Sequence, residues 1–382
     1  MRNPKKPSNP YADDKVIDSC SLFGIMNTER RRFSSRDPVR AMSNMRERGN
    51  GLGGGFAVYG IYPEYEDVYA LHAMYMSGGA RKATEECLGK NFRILFEEEI
   101  PTEEAEVWDP PLVRRYFVEP RSSETSEDEA VADEYVVKSV IKINAKMERA
   151  FVFSSGKNMG IFKGVGFPEA VAEYYRLQEY QGYMWICHGR FPTNTPGWWG
   201  GAQPFGLLDW SVAHNGELSS YGANRRYLEM CGYNCTMQTD TEVLAYALDL
   251  LVRRHGIPPE FVAKILAPPF WTEISHMEHA RRCLLTAMRQ TYGSLLMNGP
   301  FSIVVGHKDG MMGLTDRIKL RPLTAALKGE FFYLSSEEAA IRVVSPDLER
   351  VWNPAGGEIV MSRLRDPRIL KIPVITTRAV RM

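Results

Sequence analysis

Apolar residues change their spacing several times along this chain, and each change marks an element. Residues 20–26, Cys-Ser-Leu-Phe-Gly-Ile-Met, form a compact apolar run that predicts a strand. Ahead of it lie 19 residues with three prolines and many charges, which read as a leader or a cleaved pro-segment. Asp37-Pro38 predicts a helix start, with the aspartate as cap and the proline in the first turn. Val39, Met42 and Met45 give that helix an apolar face, and it ends at Gly49. A glycine-rich stretch, 50–55, leads into a strand over 56–60. No Lys-Ser or Lys-Thr follows the glycines, so a tight turn is the better reading than a phosphate loop.

Between 61 and 156 the pattern has its own order. Strands are predicted over 67–76, 92–98, 113–118 and 150–153, and helices over 80–88 and 136–147. The acidic, serine-rich stretch 121–134 reads as a solvated loop. The order βαβ-βαβ suits an inserted ferredoxin-like subdomain.

From 157 onward, strands are predicted over 160–164, 183–188, 211–214, 301–306, 311–314, 331–335, 341–344 and 358–361. Helices are predicted over 168–179, 221–230 and 277–291. Another follows Thr239-Asp-Thr-Glu242, which has the spacing of a capping box. That helix would bury Val243, Leu244, Ala247, Leu248 and Leu251 and close at Arg253, Arg254, His255 and Gly256. Runs of strands separated by helices point to an α+β chain with sheets inside and helices outside.

Composition narrows the function classes. Lys plus Arg and Asp plus Glu are both 47, and no long basic stripe appears, so a nucleic-acid partner is not favoured. No apolar run approaches the roughly 20 residues of a membrane helix, and the N-terminus lacks a secretory signal. Six cysteines in 382 residues make no disulfide framework, so reduced thiols and a cytoplasmic location are expected. Cys231 and Cys235 are spaced C-x3-C, and Cys187 precedes His188. No second pair supports them, so no metal site is expected.

Four places carry candidate chemistry. Cys20 opens a strand behind a removable segment. As the first residue of a mature chain it would combine a thiol with an α-amino group, whose pKa near ~8 suits a base at neutral pH. The plain alternative is a buried strand cysteine. Arg190, in His188-Gly-Arg-Phe-Pro-Thr-Asn-Thr195, ends an apolar strand with a planar fork suited to a carboxylate, or to a structural ion pair. Asn215-Gly216, in His214-Asn-Gly-Glu217, offers an amide and a backbone N–H as an oxyanion hole, or a simple turn. Asp240 lies in the first turn of a helix, where it can pair with an ammonium group or act in capping alone. A nucleophile, an oxyanion hole, a carboxylate binder and an ammonium binder are what glutamine would need.

These segments, in this order, resemble the class II glutamine amidotransferases. The resemblance runs through Cys20-Ser-Leu-Phe-Gly-Ile, Arg48-Gly49, His188 to Thr195, His214 to Glu217 and Thr239 to Glu242. It continues through Asp316-Arg317, Leu320-Arg-Pro322 and Ser335-Ser-Glu337. It covers roughly 20–60 and 157–345, and the phrase around Arg190 is most similar to the amidotransferase domain of glutamate synthase. The resemblance implies a four-layer αββα N-terminal-nucleophile hydrolase sandwich over 20–365. The 61–156 insertion would be an α/β subdomain, and 366–382 a tail. It also implies site roles: Cys20 as nucleophile with its own amine as base, and Asn215 and Gly216 as oxyanion hole. Arg190 would hold the glutamine carboxylate and Asp240 its ammonium. Thr193 would line the pocket, and Arg48 would order the loop above the nucleophile. The family commonly has glycine after the nucleophile, where this chain has Ser21. The expected activity is hydrolysis of L-glutamine through a Cys20 thioester, with ammonia passed to a partner synthase subunit. No cofactor is expected in this chain; flavin and Fe–S centres would belong to the partner. The alternatives are a non-catalytic regulatory or scaffolding subunit with an unprocessed N-terminus, or an amidase acting on another amide.

Overall fold

The computed structural model describes residues 19–121, 128–192 and 197–365. Its central feature is a pair of antiparallel sheets. The larger has seven strands, in the spatial order Arg350–Trp352, Thr324–Lys328, Phe331–Ser335, Ser21–Asn27, Met184–Gly189, Gly54–Tyr59, Met159–Gly164. The smaller has five, in the order Phe205–Leu207, Trp210–Gly216, Phe301–His307, Gly310–Thr315, Val360–Arg363.

Strand periodicity divides the apolar side chains between two cores. Ile303 and Val305 join the cluster that includes Val243, Leu244, Leu248 and Leu251 of the outer helices. Val304, one residue between them, joins the opposite cluster, with Leu22, Phe23 and Ile186 of the larger sheet. The sheets approach closely at Gly24, where a Cβ would lie 2.6 Å from Met311 Sδ and 2.9 Å from Val304 Cγ1. Only a residue without a side chain fits that spacing.

Helices cover both outer faces. Arg36–Asn44, Pro168–Tyr174 and Glu338–Val344 lie on the larger sheet and bury Met42, Val171 and Ile341 there. Asp240–Leu248 and Pro259–Leu266 lie on the smaller one. Eight of the nine residues of Asp240–Leu248 are buried, because further helices pack over its outer side. The layers run helix, sheet, sheet, helix, the αββα order expected from the resemblance.

The strands Tyr69–Tyr75, Phe92–Glu99, Leu112–Pro120 and Ala150–Ser154 form a separate four-stranded antiparallel sheet. Its order is Phe92–Glu99, Leu112–Pro120, Tyr69–Tyr75, Ala150–Ser154, which is the ferredoxin-like order. One face carries the helices Gly78–Asn91 and Glu129–Lys146, with Leu71, Ala73 and Tyr75 beneath them. The other turns Ala70, Met74 and Phe117 toward the larger sheet. His72 sits in that seam. Its ring bonds the Tyr62 hydroxyl at 2.8 Å and donates from Nδ1 to the Ile161 carbonyl at 2.9 Å.

Several expectations need correcting. Residues 341–344 are helical, within Glu338–Val344, where Arg342 pairs with Glu338 one turn earlier. The β-branched run resembles a strand, but Ala340, Ile341 and Val344 face the core at helical spacing. The strands Thr324–Lys328 and Arg350–Trp352 and the helix Pro259–Leu266 were not anticipated. Ser35, not Asp37, is the N-cap residue of the first helix, and Asp37 lies inside its first turn. Thr239 caps its helix by accepting from Thr241 N at 3.4 Å, but Glu242 does not close the box. Its carboxylate takes the N–H groups of Thr236 and Met237 instead. Among the described residues no helix is long and apolar enough to cross a membrane.

Burial drives the His72 pKa down to about 3, with Arg115 adding to the effect and the Ile161 carbonyl opposing it. Between pH 3 and the unfolded value near 6.5, the unfolded chain binds a proton that the native one rejects. Stability therefore rises with pH across that window, by up to about 1.4 kcal/mol per pH unit for this group. Urea unfolding should give a lower free energy at pH 5 than at pH 7. His72→Asn should remove about one proton's share of that slope; an unchanged slope would show that His72 is not the neutral buried group.

Candidate active site

The site is assembled where both sheets end. Ser21 pairs with Gly189 in antiparallel register, so Cys20 and Arg190 continue the ladder as opposite neighbours. Phe191 N–H donates to Cys20 Sγ at 3.3 Å, and the thiol points back to the Phe191 carbonyl at 3.7 Å. Ser21 Oγ reaches the Gly189 carbonyl at 3.5 Å, so the residue that departs from the family's usual glycine is absorbed within the ladder. Ser336 Oγ accepts from Leu22 N at 3.0 Å and ties the strand's start to its other neighbour.

Arg48 grips the chain around the nucleophile. Its Nε donates to the Cys20 carbonyl at 3.1 Å, Nη2 to Ser19 Oγ at 2.7 Å, and Nη1 to Glu337 at 2.7 Å. Arg321 also reaches Ser19 Oγ, at 3.3 Å. In the sequence Arg321 is only part of the pattern Leu320-Arg-Pro322, and an arginine before a proline carries no signal of where its guanidinium points.

The other half of the site comes from the smaller sheet. His188, on the Cys20 side, donates from Nε2 to the His214 carbonyl at 3.1 Å. That bond crosses between the sheets and sets the strand end on which Asn215 and Gly216 follow. His214 Nδ1 in turn faces Asp240 Oδ1 at 3.2 Å. Leu218 N–H donates to Asp240 Oδ2 at 3.1 Å. Asn215 is buried, and its Nδ2 has no hydrogen-bond partner among the described residues. A buried amide donor left open is costly in a finished core and typical of a site built for a ligand. Gly216 has φ +149°, and a Cβ there would fall 1.9 Å from the Pro300 carbonyl oxygen.

Electrostatics link the two halves. Burial pushes the Cys20 thiol up from its ordinary value. The Phe191 N–H, Arg190 and Arg321 work against that, and Asp240 works with it. The sulfur is therefore a neutral thiol near pH 7. Arg190 is buried; desolvation lowers its pKa, and Cys20, Asp240 and Glu217 oppose this. Burial tends to raise Asp240, but His214, the Leu218 N–H and Thr241 outweigh it and hold the carboxyl below its usual range. Burial, reinforced by Arg190, takes His188 down to about 3, so its ring is neutral.

Cys20 thus lies within electrostatic reach of Arg190 and Asp240, Asn215 and Gly216 follow the His214 that His188 holds, and Arg48 grips the chain at Cys20. Thr193 lies outside the described residues. Among the described residues no three His, Cys, Asp or Glu side chains gather as metal ligands.

The sequence profile of the "Glutamine amidotransferases class-II" matches residues 80–380, well over half of the chain. The chain belongs to this family. An "Uncharacterized protein" of Archaeoglobus fulgidus is 56% identical over 356 residues, 92% of this chain and 94% of that one. The glutamate synthase [NADPH] large chain of Bacillus subtilis is 25% identical over 252 residues, 60% of this chain and 16% of that one. Among solved structures, the glutamine phosphoribosylpyrophosphate amidotransferase from B. subtilis aligns at a TM-score of 0.46 with 16% identity. The alignment covers 90% of this chain and 47% of that one. This amidotransferase-family chain thus spans well under two thirds of the last two relatives. The family match begins after Cys20 and Arg48, so those two residues stand on the geometry above.

Gly216→Ala puts a Cβ into a backbone carbonyl, which no side-chain movement can relieve. It should cost about 1–3 kcal/mol in urea unfolding. A variant as stable as the parent would show that the strand end can shift without strain.

Proposed function

We propose that this chain is a glutaminase subunit that hydrolyses L-glutamine to glutamate and ammonia. The observation that carries the reading is that Cys20 lies within electrostatic reach of both Arg190 and Asp240, while the unpartnered Asn215 amide follows the residue that His188 ties to the same region. Arg190 is placed to take the α-carboxylate and Asp240 the α-ammonium, which leaves the carboxamide toward the sulfur.

The thiol needs a base, since burial keeps it protonated. His188, taken down to about 3 by burial, is too weak a base, and the His214 ring is held against Asp240. The α-amino group of Cys20, free once residues 1–19 are removed, supplies it. The amine takes the thiol proton, and sulfur attacks the carboxamide carbon. Asn215 Nδ2 and the Gly216 N–H hold the oxyanion. The ammonium of Cys20 then protonates the leaving nitrogen, ammonia departs, and a glutamyl thioester remains. Water adds to the thioester with the amine again as base, which releases glutamate and the thiol.

Ammonia produced this way is useful only to an acceptor. We assign the acceptor to a synthase partner of glutamate-synthase-like type, in keeping with the B. subtilis relative. Any flavin or iron–sulfur centre would belong to that partner. One observation favours a second reading, a regulatory or scaffolding subunit with an intact N-terminus. Ser19 is already held by Arg48 and Arg321, as a retained residue would be.

Intact mass and glutaminase assays of the purified chain and of Cys20→Ala separate the readings. Loss of residues 1–19, activity in the parent, and a fall of at least about 10³-fold in Cys20→Ala are expected. Full activity with residues 1–19 retained would remove the amine-as-base step, and activity surviving Cys20→Ala would overturn the proposal. Arg190→Ala and Asp240→Asn should each raise the glutamine KM about 10- to 100-fold, the loss of one charge-assisted contact. Unchanged KM values would dissociate these residues from binding.

A further inference from the structure

Behind the pocket lie two buried charged groups that the chemistry above does not use. Lys163, on the strand Met159–Gly164, is 1% exposed, and Glu242, two residues after Asp240, is 0% exposed. Each holds a different wall of the site.

Lys163 Nζ donates to the Gly200 carbonyl at 3.0 Å and sits 4.0 Å above the centre of the Phe205 ring. Gly200 belongs to a tight turn in which Gly201 N–H and Ala202 N–H both reach the Trp198 carbonyl at 3.1 Å. This turn presses on Arg190. A Cβ on Gly201 would lie 3.2 Å from Arg190 Nη1, and one on Gly53, on the other side, 3.0 Å from Arg190 Cδ. The arginine is therefore clamped between two backbone segments, and Lys163 anchors one of them. Trp199 Nε1 adds a second anchor through the Trp108 carbonyl, at 2.7 Å.

Glu242 acts on the opposite wall. Its carboxylate accepts from Thr236 N at 3.0 Å, Met237 N at 2.9 Å and Tyr246 OH at 3.1 Å. It thereby fixes the turn that enters the Asp240 helix. The two groups lie within electrostatic reach of each other: burial lowers Lys163 and raises Glu242, and each partner opposes the other's shift. Two buried ionisable groups are expensive in a core and easily replaced by apolar ones where only stability is at stake.

We propose that Lys163 and Glu242 are positioning residues that hold Arg190 and Asp240, each from its own wall, at the spacing that the carboxylate and ammonium of a single α-carbon require. The inference rests on the reading that these two residues hold the two charged groups on the α-carbon of glutamine. Lys163 ties the Arg190 wall to the larger sheet, Glu242 ties the Asp240 wall to its helix, and neither touches the reacting atoms.

The test uses the full chain carrying Lys163→Met, and Lys163→Met with Glu242→Gln. The second variant removes the carboxylate that the first leaves uncompensated and is expected to be the better folded of the two. In the folded variants the glutamine KM should rise about ten-fold or more while kcat stays within about three-fold, the signature of lost ground-state positioning. Amide hydrogen exchange at Gly201 and Ala202 should quicken about ten-fold, because the anchor of their turn is gone. A folded double variant with parental KM, or with parental exchange at those two amides, would overturn the proposal. Should the parent chain itself fail to hydrolyse glutamine, the glutaminase reading falls, and the exchange rates alone decide whether Lys163 anchors the turn.

Discussion

One hydrogen bond joins the two sheets at the point where the chemistry would occur: His188 Nε2 to the His214 carbonyl, at 3.1 Å. Everything around the candidate site is counted from it. Two residues beyond His188 is Arg190, across the ladder from Cys20. One residue beyond His214 is Asn215, and the His214 ring itself faces Asp240. A neutral imidazole suits this task, because the His188 ring lies in a core where a charge would be costly. The bond fixes the strand ends with respect to each other at a place where apolar packing alone, being non-directional, would leave them free to slide.

The same segments carry several buried polar atoms without partners among the described residues. His188 Nδ1, His214 Nε2 and Asn215 Nδ2 are all of this kind. Three open groups on two short strand ends are a poor way to build a core and a good way to prepare a site. An amide donor such as Asn215 Nδ2 that is already oriented and dry needs no reorganisation when charge appears beside it. Stability given up here is recovered by the apolar cores on either side, where Trp185, Phe56 and Phe162 are fully buried.

The elements that form the site were the most legible part of the sequence. The runs of Ser21–Asn27 and Met184–Gly189 are largely apolar, because both faces of each strand are covered. Polar residues gathered at their ends stood out against that background. Elements near the C-terminus were harder. Residues 341–344 are rich in β-branched side chains yet helical, since Ala340, Ile341 and Val344 meet the core on one face of a helix. Thr324–Lys328 reads Thr-Ala-Ala-Leu-Lys, with no alternation to announce a strand. Lys163 was placed on its strand correctly, but a lysine within Gly-Ile-Phe-Lys-Gly gives no hint that its ammonium turns inward to a carbonyl 37 residues away. Arg321 was equally opaque, because its partner Ser19 lies 302 residues distant. Periodicity reports which face is buried; it does not report what a long polar side chain will reach.

Register explains why the two sheets divide the site as they do. The larger sheet supplies the sulfur and the buried arginine, each the next residue beyond the antiparallel pair Ser21 and Gly189. The smaller sheet supplies the open amide, through the pairing of Asn215 with Ser302. A slip of one residue in either ladder would turn its contribution to the other face, because side chains alternate along a strand. Both ladders are therefore pinned twice: by close packing at Gly24, which admits no Cβ, and by the polar bond from His188. The packing constraint sets how near the sheets come, the bond sets how far they are shifted, and a site with parts on both sheets needs the two together.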